Sequence, residues 1–240
     1  MARTLKQEVY DSHRNQILDA AQRLVYTKGY EQMSIQDLLG AVQISKGAFY
    51  HYFPSKQALM EGLIERMATQ GVQVMAPIAA DAHLSATQKL MGIFNQASRW
   101  KTARRDYLMA LVKVWYADEN AVLRLKSQAA VLPMVAPLIT DIIRQGVEEG
   151  AFHTSHPEQA CEIVFSMLQS FGDALVRQML QPQADAQTLA YLEGLTASYQ
   201  EAMERVLGAR PGSLPLFDPS ILREWFPLTE NTDHQQGVTL

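Results

Sequence analysis

The stretch from Ser34 to Lys56, SIQDLLGAVQISKGAFYHYFPSK, decides the fold. Ser34 precedes an apolar-periodic run and stands three residues before Asp37. That is the spacing of a capping box, in which the two side chains bond free amides at a helix start. Ser45 is placed to cap a second helix, and Pro54 is placed to end it. The stretch therefore predicts two short helices joined by a tight turn.

The second of these predicted helices has two unlike faces. Phe49 and Phe53 stand four residues apart and are predicted to point into a core. The other face carries small, basic and aromatic side chains. A helix-turn-helix places such a face in the major groove of DNA, which admits a helix when nothing bulky obstructs it. A plain helical hairpin with a solvated face is the alternative that spacing alone leaves open.

The region resembles the DNA-binding part of the TetR family of bacterial transcriptional regulators. The motif SKGAFYHYFPSKQAL, preceded by KGYEQMSIQDL, carries the resemblance, which spans residues 11–70. It implies an all-α protein, with an N-terminal three-helix helix-turn-helix DNA-binding domain followed by a helical ligand-binding and dimerisation domain. Two positions depart from the family pattern, since Gln43 stands where the turn often has glycine and Ala48 where threonine is common. A positive φ at Gln43 costs about 1 kcal/mol.

The resemblance also implies which residues meet DNA. The side chains that would face the bases are Gln36, Lys46, Gly47, Ala48, Tyr50 and His51. The phosphate contacts would include Ser45, Tyr50, Tyr52 and Lys56, and Ser34 completes the predicted set.

The composition is that of a globular chain, with 48% hydrophobic and 19% charged residues. The net charge of −4 is unusual for a DNA-binding protein, but the charge is unevenly distributed. Residues 1–60 hold seven Lys and Arg against five Asp and Glu, whereas the rest of the chain is acidic. A mildly basic N-terminal part followed by an acidic remainder fits a DNA-binding domain joined to a larger domain that does not contact the DNA phosphates.

The chain shows no signal for export, a membrane span or catalysis. Its one cysteine, Cys161, excludes an internal disulfide, and the start of the chain lacks an apolar core. The longest apolar run, AAVLPMVAPLI, is short and holds two prolines. His153 and His156 have no further ligands at metal-binding spacing. We therefore expect a cytoplasmic protein without membrane partner, metal or cofactor, and nothing in the motifs favours an enzyme.

Helical periodicity runs through the remaining chain. The first helix is predicted over 7–27, and a long one over 56–76 with Pro77 ending or kinking it. Further segments are predicted over 86–99, 103–117, 119–149, 157–180 and 185–207, the third interrupted or kinked at Pro133 and Pro137. The predicted domains are 1–55, the DNA-binding domain; 56–208, the ligand-binding and dimerisation domain; and 209–240, a proline-rich extension. Apolar residues within 213–228 predict that this segment folds back onto the second domain or onto the second subunit, with a short helix near 220–225.

Two sets of residues in the predicted second domain are candidates for a dimer interface and for a ligand site. The helices predicted over 157–180 and 185–207 carry wide apolar stripes, and the resemblance implies a homodimer built from them. The predicted dimer interface is Ile163, Val164, Met167, Phe171, Leu192 and Tyr199. Large adaptable side chains in the body predict a ligand site formed by Phe94, Trp100, Tyr107, Leu111, Trp115, Met134 and Phe171. Plain core packing remains the alternative for both sets.

These features predict a regulator that binds double-stranded DNA as a homodimer. The expected form is a repressor on a palindromic operator, released by a small-molecule effector of unknown identity. The alternatives are an activator of the same fold, and an all-α ligand- or partner-binding protein whose helix-turn-helix does not function.

Overall fold

The computed structural model describes residues 2–181, 185–216 and 219–227, and all regular secondary structure within these ranges is helical. A single 3₁₀ turn, Asp118–Asn120, precedes α7. The α-helices are α1 (Ala2–Lys28), α2 (Ile35–Val42), α3 (Lys46–Tyr52), α4 (Lys56–Ala80), α5 (Ala86–Thr102), α6 (Arg105–Trp115), α7 (Ala121–Glu148), α8 (Pro157–Met179), α9 (Ala186–Leu207) and α10 (Pro219–Trp225). The all-α fold predicted from the sequence is confirmed.

Contacts in space divide the chain into two compact units. Unit 1 comprises Met1–Val74 and Ala103–Val135, and unit 2 comprises Met75–Thr102 and Ala136–Leu240. Two of the three boundaries fall inside continuous helices, α4 and α7, and the third lies at the end of α5. The domains predicted from the sequence, 1–55, 56–208 and 209–240, are continuous stretches of chain, whereas each compact unit combines two separate stretches. The predicted domain boundaries stay a prediction.

The core of unit 1 joins the three N-terminal helices to α4 and α6. α1 contributes one buried face, which includes Ile17, Leu18 and Val25. Phe49 of α3 and Tyr107 of α6 lie in the same cluster. Burying a large apolar side chain contributes about 1.5–3 kcal/mol, so α3 is held firmly although it has only seven residues.

α1 begins earlier than the sequence predicted. It starts at Ala2 instead of Gln7, and ends at Lys28. No glycine or proline interrupts residues 2–28, and most of the added residues are acceptable helix formers, so nothing local stops the helix. Gly29 follows with φ of 81°, which is the left-handed end expected from the Lys-Gly signal.

Prolines do not end the two long helices. α4 continues through Pro77 to Ala80, and α7 runs through Pro133 and Pro137 without a break. A proline removes one backbone hydrogen bond, and a helix with enough neighbouring turns continues across it with a bend. α7 is therefore one continuous helix and not two pieces, which were one of the two predicted alternatives.

α7 also has the length and composition of a membrane span. An 18-residue window reaches a mean hydropathy of 1.3, and 6% of that window is buried. Val122 and Leu125 at its start are each 65% exposed. One such helix is weak evidence for a membrane, and the absence of a membrane partner stays a prediction.

Unit 2 has its own core, into which α5, α7, α8 and α9 each contribute. Ile93, Ile143, Val164 and Met203 are buried representatives of the four helices. α8 and α9 pack along each other. The ring of Phe152, in the loop before α8, packs directly on Gly146, where a β-carbon would overlap the ring.

The C-terminal segment packs against other helices of unit 2, which is the first of the two predicted alternatives. Leu214, Leu216, Leu222 and Phe226 are buried, and α10 packs against α9 and α5. The predicted short helix near 220–225 is confirmed as α10. Residues 217, 218 and 228 of the predicted segment lie outside the described residues.

Candidate nucleic-acid interface

The start of α2 is fixed by the predicted capping box. The Asp37 amide donates to Ser34 Oγ at 3.1 Å, and the Ser34 amide donates to Asp37 Oδ2 at 2.9 Å. Lys28, the last residue of α1, donates to Asp37 Oδ1 at 2.7 Å. The hydrogen bonds from Lys28 and Ser34 lower the pKa of Asp37 to about 2. The carboxylate therefore stays charged at neutral pH and ties α2 to the end of α1.

The turn between α2 and α3 needs a left-handed residue. Gln43 has φ of 56° and ψ of 45°, and Ile44 N donates to Leu39 O at 3.3 Å. This position, where the family often has glycine, thus has a positive φ, and glutamine bears the strain of about 1 kcal/mol that glycine would avoid. Three residues, Gln43 to Ser45, separate the two helices.

α3 presents its two faces as the sequence predicted. The Ala48 amide donates to Ser45 Oγ at 3.1 Å, which caps the helix. Phe49 and Phe53 are buried in the core of unit 1. The opposite face is open, since a β-carbon added at Gly47 would meet only Ser45 Oγ, at 4.0 Å.

The exposed side chains gather on that open face. Lys46, Gly47 and His51 are exposed, and Tyr50 is 39% exposed to solvent although it is a large aromatic residue. Ala48 and Tyr52 are half-buried. We name the exposed side of α3, formed by Lys46, Gly47, Tyr50 and His51, the α3 face. It combines a cation, an aromatic ring, an imidazole and a gap for close approach.

Four members of the predicted DNA set lie outside α3, and one of them is Ser45, the residue that caps the helix. Gln36 and Ser34 are exposed at the start of α2, and the Ser34 hydroxyl is already used by the cap, donating to Asp37 Oδ2 at 2.8 Å. Lys56 is half-buried at the start of α4.

Lys56 also has an internal role. Its ammonium donates to Glu31 O at 3.1 Å and lies 4.7 Å from the centroid of the Tyr30 ring. Tyr30 returns a hydrogen bond from its hydroxyl to Lys56 O at 2.7 Å. Burial lowers the pKa of Lys56, and the Glu31 charge acts in the opposite direction. Lys56 thus braces the loop between α1 and α2 against α4.

Sequence reasoning missed the contribution of α1 to this surface. Tyr10 packs on Tyr52 and His51, and His13 lies beside Tyr52. These residues stand about forty positions apart in the chain, so no local spacing links them.

The predicted ligand residues fall in both units. Tyr107 and Leu111 are buried in the core of unit 1, so neither offers surface to a ligand in this structure, and Trp115 and Met134 are half-buried. Phe94 and Trp100 are half-buried in unit 2, and Phe171 is buried there. Neither unit contains the whole set.

The predicted dimer residues divide by exposure. Val164, Phe171 and Leu192 are buried inside unit 2, where they support α8 and α9 from within. Ile163 is 49% exposed, and together with Met167 and Tyr199 it lines an open depression. The Tyr199 hydroxyl lies 2.8 Å from Ser170 Oγ, which joins the two helices across the depression. We name the surface formed by Ile163, Met167 and Tyr199 the α8–α9 face.

Metal-binding chemistry is not assembled in the described part of the chain. His153 Nδ1 lies 3.0 Å from Gly208 O, where it secures the end of α9. Among the residues described, no group of three or more His, Cys, Asp or Glu side chains is arranged to hold a metal ion. Cys161 is buried, and burial raises the pKa of its thiol.

The capped α2, the left-handed turn and the exposed α3 face define a helix-turn-helix protein. Two family models match the chain. "Bacterial regulatory proteins, tetR family" matches residues 17–63, and "Tetracyclin repressor-like, C-terminal domain" matches residues 108–180. The chain belongs to the TetR family of bacterial transcriptional regulators and is a DNA-binding transcriptional regulator.

Relatives in sequence agree with this assignment, and solved structures share the fold. The regulator EthR of Mycolicibacterium smegmatis is 27% identical over 146 residues, covering 54% of this chain and 67% of that protein. TtgR of Pseudomonas putida is 23% identical over 192 residues, covering 75% of this chain and 85% of that protein. A TetR-family regulator from Pectobacterium atrosepticum has the same fold, with a TM-score of 0.61 at 17% identity, covering 85% of this chain and 98% of the other. The structure of RolR in complex with resorcinol also has this fold, with a TM-score of 0.58 at 16% identity, covering 93% of this chain and 98% of that chain.

Proposed function

We propose that this regulator is a repressor that binds a palindromic operator as a homodimer and is released by a small-molecule effector. The observation that carries the DNA-binding part is the α3 face, which is exposed and uncrowded while Phe49 and Phe53 anchor the same helix. The proposed domains are 1–55 for DNA, 56–208 for the effector and the second subunit, and 209–240 as an extension of the body. Such a regulator acts in the cytoplasm, and we assign it no catalytic activity.

The chemistry of the α3 face suits the major groove. Gly47 allows the helix backbone to approach the base edges, and Lys46 and His51 supply donors for bases or phosphates. Tyr50 adds a hydroxyl and an apolar ring at the surface. Ser45, Tyr52 and Lys56 flank the face and are proposed to fix the register on the phosphate backbone.

A homodimer supplies the second α3 face that a palindrome requires. We propose that the α8–α9 face meets its copy in the second subunit, because Ile163, Met167 and Tyr199 line one open and mostly apolar depression instead of standing as isolated surface residues. Two DNA-binding domains on one two-fold axis reach half-sites about 34–36 Å apart. Tethering also raises the effective concentration of the second domain once the first has bound.

Effector release is proposed to follow from a population shift. A ligand that binds better to a conformation whose DNA-binding domains do not fit the operator weakens DNA binding by that difference in affinity. The partly accessible members of the predicted set, Phe94, Trp100, Trp115 and Met134, are the first residues to test. RolR was solved with resorcinol, so small phenols form a reasonable first panel.

The test begins with genomic DNA. The purified full chain is used to select bound fragments, and the enriched sequence should contain an inverted repeat whose half-sites are one helical turn apart. No enrichment over a non-specific control would overturn the proposal.

A reporter carrying the selected fragment then gives the sign of regulation. Repression predicts lower transcription when the chain is present, and recovery on addition of an effector. Higher transcription in its presence would identify an activator instead.

A further inference from the structure

α1 reaches the DNA-binding helix through a cluster of aromatic rings. The centroid of the Tyr10 ring lies 4.8 Å from that of Tyr52, with the planes at 40°. The same ring meets His51 edge-on, at 5.8 Å and 82°. His51 and Tyr52 are themselves 5.2 Å apart at 78°. Tyr10, His51 and Tyr52 therefore form a closed triangle of rings, which we name the ring triangle.

The ring triangle constrains the end of a very short helix. α3 ends at Tyr52, after only seven residues, and short helices fray at their ends. His13, also on α1, lies on another side of Tyr52, with its centroid 6.3 Å away. The two edge-on pairs have an arrangement that the ring quadrupoles favour, and the tilted Tyr10–Tyr52 pair is the closest of the three, so these contacts hold the Tyr52 and His51 side chains in defined orientations.

The position of Tyr10 argues against its being primarily a DNA contact. Glu8 and Asp11, its neighbours on α1, are exposed carboxylates. They repel phosphate groups at this part of α1. Tyr10 is itself half-buried. Its ring is thus better suited to hold other side chains than to bind the DNA backbone.

We propose that Tyr10 is a positioning residue for DNA binding, whose ring holds Tyr52 and His51 in the orientation in which they meet DNA. The inference rests on the proposed function, in which both residues belong to the DNA-binding set. Side chains that are already ordered lose less freedom on binding, and losing that order for one or two side chains weakens binding roughly two- to tenfold.

The test uses Tyr10→Ala and Tyr10→Phe, with Val9→Ala as the matched control. Val9 is adjacent on α1 and 52% exposed. Affinity for the fragment selected from genomic DNA is measured by fluorescence anisotropy at one fixed salt concentration. Tyr10→Ala should weaken binding roughly two- to tenfold, whereas Tyr10→Phe keeps the ring and should remain within about twofold of the original chain, as should Val9→Ala. Equal losses for Phe and Ala would assign the effect to the hydroxyl and overturn the proposal.

A thermodynamic cycle, in which Tyr10→Ala is combined with substitution of the two residues it contacts, separates positioning from a general loss of structure. In a Tyr52→Ala, His51→Ala background, Tyr10→Ala should cause no further loss of affinity, because the residues it positions are gone. A full additional loss there would contradict the proposal. If the original chain selects no DNA, the proposed function fails; if it binds and Tyr10→Ala binds equally well, only the present inference fails.

A measurement on the free protein tests the ring triangle without DNA. Removing the Tyr10 ring should shift the NMR signals of the His51 and Tyr52 ring protons, and Tyr10→Phe should shift them much less. Signals that are unchanged in Tyr10→Ala would show that the rings do not pack in solution, which would also overturn the inference.

Discussion

The ring of Tyr26 on α1 stacks on the ring of Tyr107 on α6, with centroids 5.4 Å apart and planes within 9° of parallel. Tyr107 is buried in the cluster that also holds Phe49 and Phe53. Arg66 of α4 forms an ion pair with Asp19 of α1 within the same unit. A helix from the later part of the chain is therefore built into the core that supports the DNA-binding helices.

Replacing Tyr107 with alanine should destabilise the protein strongly. Removing a buried aromatic side chain costs about 3–5 kcal/mol, because the ring contacts are lost and a cavity remains. Tyr26→Ala should cost less, since about half of the Tyr26 side chain is already exposed. Urea denaturation measures both free energies of unfolding, with Tyr191→Ala on the surface of α9 as the control. A cost for Tyr107→Ala no larger than that of the control would mean that α6 does not pack here.

Stability should fall at alkaline pH because of two buried tyrosines. Burial raises the pKa of Tyr30 and that of Tyr107 from the ordinary tyrosine value of 10.0 to about 12. Between these values the folded chain keeps protons that the unfolded chain has lost, so stability is complete below about pH 10 and decreases as the pH rises towards 12.

The free energy of unfolding, measured in urea at several pH values, tests this dependence. Tyr107→Phe should flatten the decrease between pH 10 and 12. The same slope in the variant and the original chain would show that Tyr107 titrates normally. Tyr191, exposed on α9, provides the control as Tyr191→Phe.

The C-terminal segment should depend on one buried carboxylate. Glu204 accepts hydrogen bonds from the backbone amides of Gly212 and Leu214, both at 2.9 Å, although it is buried. Glu204→Ala leaves these donors without their acceptor, and a buried unsatisfied group costs about 1–3 kcal/mol.

Glu201→Ala on the same helix is the matched control for Glu204→Ala. Glu201 pairs with Arg205 at the surface, where an ion pair contributes about 0–1 kcal/mol. Thermal unfolding should therefore distinguish the two variants clearly. Equal melting temperatures would indicate that Glu204 does not hold the segment, and a chain ending at Gly208 that melts like the full chain would show that the segment adds no stability.

The helix-turn-helix was predictable because its signals are local. Ser34 and Asp37 are three residues apart, and Ser45 lies directly before the helix it caps, so short spacings determine where α2 and α3 begin. For the turn, the sequence showed only that Gln43 stands where the family often has glycine, and the structure supplied its positive φ.

Contacts between distant parts of the chain were not predictable in the same way. Helical periodicity indicates that Tyr107 and Leu111 are buried, but not which helix they pack against. The structure packs both in the core of unit 1, and their role in a ligand site stays a prediction. Tyr10 gives no local signal at all, because its ring contacts lie on α3.

Disrupting the α8–α9 face should separate the proposed dimer. Ile163→Asp places a charge where the second subunit would exclude water, and a buried unpaired charge costs several kcal/mol. Val147→Asp, at a partly exposed position on α7, is the control for the effect of an added charge. Sedimentation velocity should show a dimer for the original chain and the control, and a monomer for Ile163→Asp. A dimer that persists in Ile163→Asp would exclude this face as the interface.

The central claim is that the α3 face binds DNA, and salt-dependent affinity for the selected fragment tests it most directly. Lys46→Ala should weaken binding about tenfold or more and reduce the slope of log affinity against log salt by about 1 if Lys46 contacts phosphate. Tyr50→Ala should also weaken binding, whereas Lys113→Ala, which removes an exposed lysine from α6, should leave both affinity and slope unchanged. Affinities for Lys46→Ala and Tyr50→Ala equal to that of the original chain, at the same salt concentration, would contradict the account.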